Sequence, residues 1–135
     1  MKNFVSILLL FLCCTNVFGQ QKADSTCAQY HTGKFVYTDS TGTLIRIKRT
    51  KNFQTEYNDS KEVWVNCRIK WISDCEYQLK QVGTNSKSKR KNNHGVNRVV
   101  ISKRKGPNEY EYECFCSCKD SEIPKEKGTM VRMIN

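Results

Sequence analysis

Three thiols fall at every second position in YEYECFCSCKD, at Cys114, Cys116 and Cys118. Thiols so spaced are halves of disulfides, ligands for a soft metal, or a redox device. On an extended strand all three project from the face carrying Tyr110 and Tyr112, with neighbouring Cβ atoms about 6.7 Å apart. A disulfide needs Cβ atoms about 3.5–4.5 Å apart, so strand neighbours do not bond to each other. Each then needs a partner among Cys27, Cys67 and Cys75, which removes most of the roughly fifteen pairings open to six cysteines. Zinc is disfavoured, because thiolates about 2.3 Å from one ion crowd together more closely than in-line strand positions reach. Cu(I) on two or three thiolates fits better. A redox pair prefers Cys-x-x-Cys at a helix start, which CFCSC is not. Structural disulfides are therefore the first reading, with no metal and no cofactor assigned.

A second candidate is basic. Between Ser86 and Lys105 stand Lys87, Lys89, Arg90, Lys91, Arg98, Lys103, Arg104 and Lys105, and no acid. If a hairpin brings the two clusters to one tip, they form a phosphate- or sulfate-binding patch with salt-sensitive contacts. An acidic glycan or a lipid headgroup surface is the partner such a tip suits. The segment has no interleaved aromatic residues to stack on bases, so no specific nucleic acid is expected. Of the histidines, His31 and His94, neither has a nucleophile and a carboxylate nearby in the pattern a triad requires. No catalytic residue is assigned. Glu109, Glu111 and Glu113 share one strand face, which reads as the solvent side facing the basic strand before it.

The elements that position these residues read as strands. In VWVNCRIKWI, Val63, Val65, Cys67, Ile69 and Trp71 alternate with Trp64, Asn66, Arg68 and Lys70, the period of a half-buried strand. The next run, CEYQLK, places Tyr77 and Leu79 on one face. A three-residue loop at Ser73, Asp74 and Cys75 sets Trp71 opposite Tyr77 and Ile69 opposite Leu79, so the apolar faces coincide. Those rings line the concave face of the sheet, as core packing rather than as a ligand site. Further strands are expected near 33–39, 43–49, 53–58, 97–103, 109–115 and 129–134, separated by turn-forming clusters. The fold class is all-β: an antiparallel meander of about eight strands, as a curled sheet or a small up-and-down barrel. A short helix is considered around Ser121 to Lys127.

The N-terminus reads as an address. Lys2 precedes an apolar run from Phe4 to Leu12, and Val17 and Gly19 precede Gln20 in the pattern of a signal-peptidase site. Residues 1–19 are therefore expected to be a signal peptide and 20–135 a single domain. Lipoprotein anchoring at Cys13 or Cys14 is set aside because Leu12 stands where a small residue is usual. The run is too short to span a bilayer, so no transmembrane segment is expected in the mature chain. That chain carries 22 Lys and Arg, 13 Asp and Glu, and six cysteines, an even number that suits an oxidising compartment. The strong positive charge favours acidic partners.

CAQYHTGKFVY, WISDCEYQL and KGTMVRM together resemble a family of small exported proteins of Bacteroidetes-type bacteria. Cys27, His31, Gly33, Phe35 and Tyr37 match one motif, and Trp71, Cys75, Tyr77 and Leu79 another. The resemblance implies a β-rich domain without an established activity. Some members carry the label DNA topoisomerase IV, but such an enzyme needs an ATPase domain, a metal-binding carboxylate cluster and a tyrosine in a large gate. A chain of this length has no room for them. The resemblance also implies a bond between Cys27 and Cys75. Cys67 then takes one of the triplet and two thiols remain, so either the chain bends out of the strand near Phe115 or free thiols are carried. The expectation is an exported protein, periplasmic or extracellular, with a binding or structural role and no enzyme activity. Polyanion binding through the basic segment, and copper or redox chemistry at Cys114, Cys116 and Cys118, are the rivals.

Overall fold

The computed structural model describes residues 26–91, 95–116 and 123–134, and within them eight antiparallel strands close into a barrel in sequence order. They are β1 (Gly33–Thr38), β2 (Leu44–Arg49), β3 (Phe53–Asn58), β4 (Val63–Ser73), β5 (Glu76–Thr84), β6 (Asn97–Arg104), β7 (Glu109–Cys116) and β8 (Glu126–Arg132). Closure comes from β8 returning to β1, with Phe35 opposite Arg132 and Val36 opposite Val131. Of the two architectures expected from sequence, the up-and-down barrel forms. Closing the sheet satisfies the backbone groups that a curled sheet leaves bare at its edges.

Turn chemistry sets each register. Asp39 Oδ1 accepts from the Thr41 and Thr43 amides, both at 2.9 Å, which pins the tip between β1 and β2. Between β4 and β5 the expected facing pairs form, Ile69 with Leu79 and Trp71 with Tyr77. The loop is shorter than expected: Ser73 pairs with Glu76 across a bulge after Trp71. The bulge absorbs one residue, so a two-residue turn keeps the apolar faces aligned. The helix considered around 121–127 does not form over its described part, since β8 begins at Glu126. A helical turn, α1 (Lys87–Lys91), forms instead within the basic segment. The Ser86 hydroxyl accepts from the Lys89 amide at 3.3 Å, as an N-cap serine does.

One end of the barrel is closed by the 3₁₀ turn Ala28–Tyr30. Tyr30 is fully buried, and its hydroxyl donates to the carbonyls of Gly106 and Glu109 between β6 and β7. Arg132 lies over the Phe35 ring at 4.8 Å and donates to the Gln29 and Thr32 carbonyls. Gly33 has φ +132°, and an added Cβ there meets the Arg132 guanidinium. Only glycine both adopts that backbone and leaves the space. A disulfide between Cys27 and Cys75, with Cα atoms 5.2 Å apart, ties the turn to the β4–β5 loop. The Cys27 amide donates to Asp74 Oδ2 at 2.6 Å. His31 stacks on Trp71 with centroids 3.6 Å apart. The apolar core, including Phe35, Ile69, Tyr77, Val99, Tyr110 and Met130, fills the barrel on this side.

Candidate functional site

Strand β3 departs from the expected pattern. In FQTEYN the larger apolar side chains fall at Phe53 and Tyr57, yet Phe53 is 37% exposed while Gln54 is 2% exposed. The strand is set with its polar face inward. Cross-strand pairing requires this: Gln54 lies opposite Arg49 on β2 and opposite Cys67 on β4, and both of those residues are buried. Locally, the strand would gain by turning over. The register of its neighbours prevents it, because a one-residue slip would invert every contact.

The inward polar residues form a chain along the barrel. Arg49, buried and without a carboxylate partner among the described residues, donates to the Tyr30 carbonyl at 2.7 Å and the Tyr110 and Tyr77 hydroxyls at 3.1 and 2.9 Å. Its Nε donates to Gln54 Oε1 at 2.9 Å, and Gln54 Nε2 donates to Glu56 Oε1 at 2.9 Å. Gln54 thus relays a buried positive charge to an acid two residues along the same strand. Burial disfavours the Arg49 cation, but the surrounding phenol oxygens outweigh that penalty and hold its pKa above the ordinary value.

Beyond this chain the barrel is hollow. One compartment of about 190 Å³ is lined by Gln54, Glu56, Tyr112, Cys114 and Glu126 among others. A second, of about 270 Å³, reaches Asp39, Asn58, Lys61 and Val65. Tyr37, Glu56 and Lys89 line both, so the two adjoin. Glu56 is half-buried rather than closed off, because part of its surface faces this space. An eight-stranded barrel is just wide enough to be filled by side chains or to hold one small ligand.

Two carboxyls, Glu56 and Glu126, face the first compartment, with Lys89 and Lys125 on its lining as well. Burial raises the Glu56 carboxyl above its ordinary value, and Glu126 raises it further against the Gln54 hydrogen bond. Burial followed by Glu56 and Glu126 raises Tyr37. Burial followed by Glu126 raises Tyr112, whose hydroxyl donates to Glu126 Oε1 at 2.9 Å. Cys67 is pushed up to about 12, by burial and then Glu56. Cys114 is pushed up to about 11, by burial and then Glu126. The two phenols and two thiols are thus disfavoured from ionising where Glu56 and Glu126 face a common space.

The sequence candidates are partly separated. Cys27 and Cys75 are bonded, as the resemblance implied, whereas Cys67 and Cys114 are free thiols. Cys67 is therefore not joined to the triplet. Cys116 lies on β7, while Cys118, Cys13, Cys14 and His94 lie outside the described residues, as does the expected leader. Raised thiols work against metal or redox chemistry, which uses the thiolate. Among the described residues, Cys27, Cys75 and Asp74 alone bring three potential ligand atoms together, and both sulfurs are tied up in the disulfide.

The basic segment does not make one tip. Lys87, Lys89, Arg90 and Lys91 lie on α1 at the far end, while Lys103, Arg104 and Lys105 follow β6 to the closed end, roughly 23 Å away. Lys105 is paired with Glu109 and Glu111, Arg98 with Glu76, and Arg104 with the Thr26 carbonyl. The expected solvent face of β7, that of its glutamates, is half-buried and only partly turned to the strand before it: Glu111 stands opposite Lys103 but pairs with Lys105 in the loop between β6 and β7, and Glu113 pairs with Lys127 on β8.

Sequence reasoning missed Arg49, Gln54, Glu56, Tyr37, Tyr112 and Glu126. For Arg49 the available signal was its phase with Ile45 and Ile47, which places it on their inward face; Gln54 and Glu56 alternate with Phe53, Thr55 and Tyr57 and read as a solvent face unless the pairing partners are known. Comparison with family models, curated proteins and solved structures finds no match for this chain.

Proposed function

We propose that the protein is an exported binding protein whose barrel takes up one small molecule bearing an amine or comparable cationic group from the far end. The observation that supports this is the hollow half of the barrel, with Glu56 and Glu126 converging on it and Tyr37 and Tyr112 beside them. Carboxyls kept in a hollow interior contribute little to packing and cost desolvation. A cationic guest beside Glu56 would offset the burial that raises its pKa. The apolar lining, including Ile47, Leu79, Val99 and Met130, suits a short hydrocarbon body. Binding is preferred over catalysis because both described free thiols are raised and His31 lies at the closed end against Trp71. The Cys27–Cys75 bond favours an oxidising location.

The test is mass spectrometry of small molecules released when protein purified natively from its own cells is denatured. One amine per chain is expected, absent from a Val99→Trp variant that fills the compartment between Glu56 and Glu126. Release of nothing, together with no amine that raises the melting temperature of the purified protein, refutes the reading.

A further inference from the structure

The outer wall from β1 to β4, continued by Lys80 of β5, carries charge of one sign. Its exposed positions include Lys34, Arg46, Lys48, Arg68 and Lys70, followed by Lys80, and the outward residues of β1 to β4 include no acid. Pairing makes this costly. Lys34 stands directly opposite Lys48, and Arg68 directly opposite Lys80, and like charges so placed are destabilising. Arg46 is neutralised by Asp59, with N···O distances of 2.6 and 2.7 Å. Among the described residues, Lys34, Lys48, Arg68, Lys70 and Lys80 have no carboxylate partner. Acids that would relieve them sit on β7, with Lys105 and Lys127.

We infer that this wall binds a linear acidic polysaccharide, independently of any guest inside the barrel. Carboxylates or sulfates at intervals along a flexible chain sit between Lys34 and Lys48 and between Arg68 and Lys80, relieving both repulsive pairs. Bases of a single-stranded nucleic acid need open aromatic faces. Here Arg46 covers Tyr57 at 5.2 Å and Arg68 covers Phe53 at 6.0 Å, and Trp64 lies against Gly83. A flat membrane meets a convex barrel along a strip, whereas a flexible chain follows the curve over all five strands.

The test titrates the full protein into a fluorescein-labelled polyuronate oligomer at low and high salt. A single-stranded DNA of equal charge and anionic phosphatidylglycerol vesicles are run alongside. Lys34→Gln, Lys48→Gln, Arg68→Gln and Lys80→Gln combined are expected to weaken polyuronate binding at least about tenfold and to flatten its salt dependence. Lys87→Gln, Arg90→Gln and Lys91→Gln combined are expected to leave it within about twofold. The wall variant melts no lower than the native protein, because it removes two repulsive pairs, so lost binding is not lost folding. Undiminished polyuronate binding by the wall variant, tighter binding of the DNA, or capture by vesicles without capture by polyuronate overturns the inference.

Discussion

Glu56 is the residue on which the interior reading turns. Its folded pKa lies above the ordinary 4.5, chiefly through burial. Between 4.5 and the raised value, the folded chain holds a proton that the unfolded chain has released, so stability falls as pH rises through that window. Glu56→Gln removes this titration. Its melting temperature should gain on the native protein as pH is raised from about 4 to about 8, with little difference at the acid end. Parallel profiles for the two proteins would mean that Glu56 is not held protonated by the barrel. Arg49 behaves oppositely, since its four hydrogen bonds hold the charge in place. Neither residue stands out in the sequence. Arg49 shares the phase of Ile45 and Ile47 but ends their strand, where a cation ordinarily reaches water, and Glu56 alternates with Thr55 and Tyr57, a phase that ordinarily faces water.

At the scale of elements, the closed end is a small assembly held by one covalent bond. The Cys27–Cys75 bond spans 48 residues, and its loss is expected to cost about 4 kcal/mol in the chain-entropy account. Urea unfolding of a Cys27→Ser, Cys75→Ser variant measures this. A change under about 1 kcal/mol would show that Tyr30, Arg132 and the Asp74 contacts hold the turn unaided. The strands were legible because alternation marks them. The Trp71–Tyr77 and Ile69–Leu79 pairs followed from aligning two apolar faces, although the bulge that delivers that alignment did not. The orientation of β3 was not legible, because it depends on Arg49 before it and Cys67 after it rather than on its own composition.

For the whole molecule, closure of the barrel decides what reagents reach the interior. Cys67 is buried and its thiol is pushed up to about 12, whereas Cys114 is half-buried at about 11 and lines the hollow. Peptide-resolved alkylation at about pH 8 should therefore modify Cys114 before Cys67. Cys67 should react only as fast as the barrel opens, and rapidly in denaturant. Equal rates at both thiols under native conditions would contradict a barrel closed around Cys67. Closure also divides the exterior, placing the uncompensated cations on one wall and the paired glutamates on β7.

The all-β class, the approximate strand positions and the hairpin register are properties of local sequence, because side-chain alternation and turn residues act over a few positions. Which face of β3 lies inside, where the two basic clusters end up, which cysteines meet and which cations oppose one another depend on pairings between distant strands. Alternation along one strand leaves two faces to choose from. Only the register of a closed ring of eight selects between them, and that selection placed Glu56 in the hollow and Lys34 against Lys48.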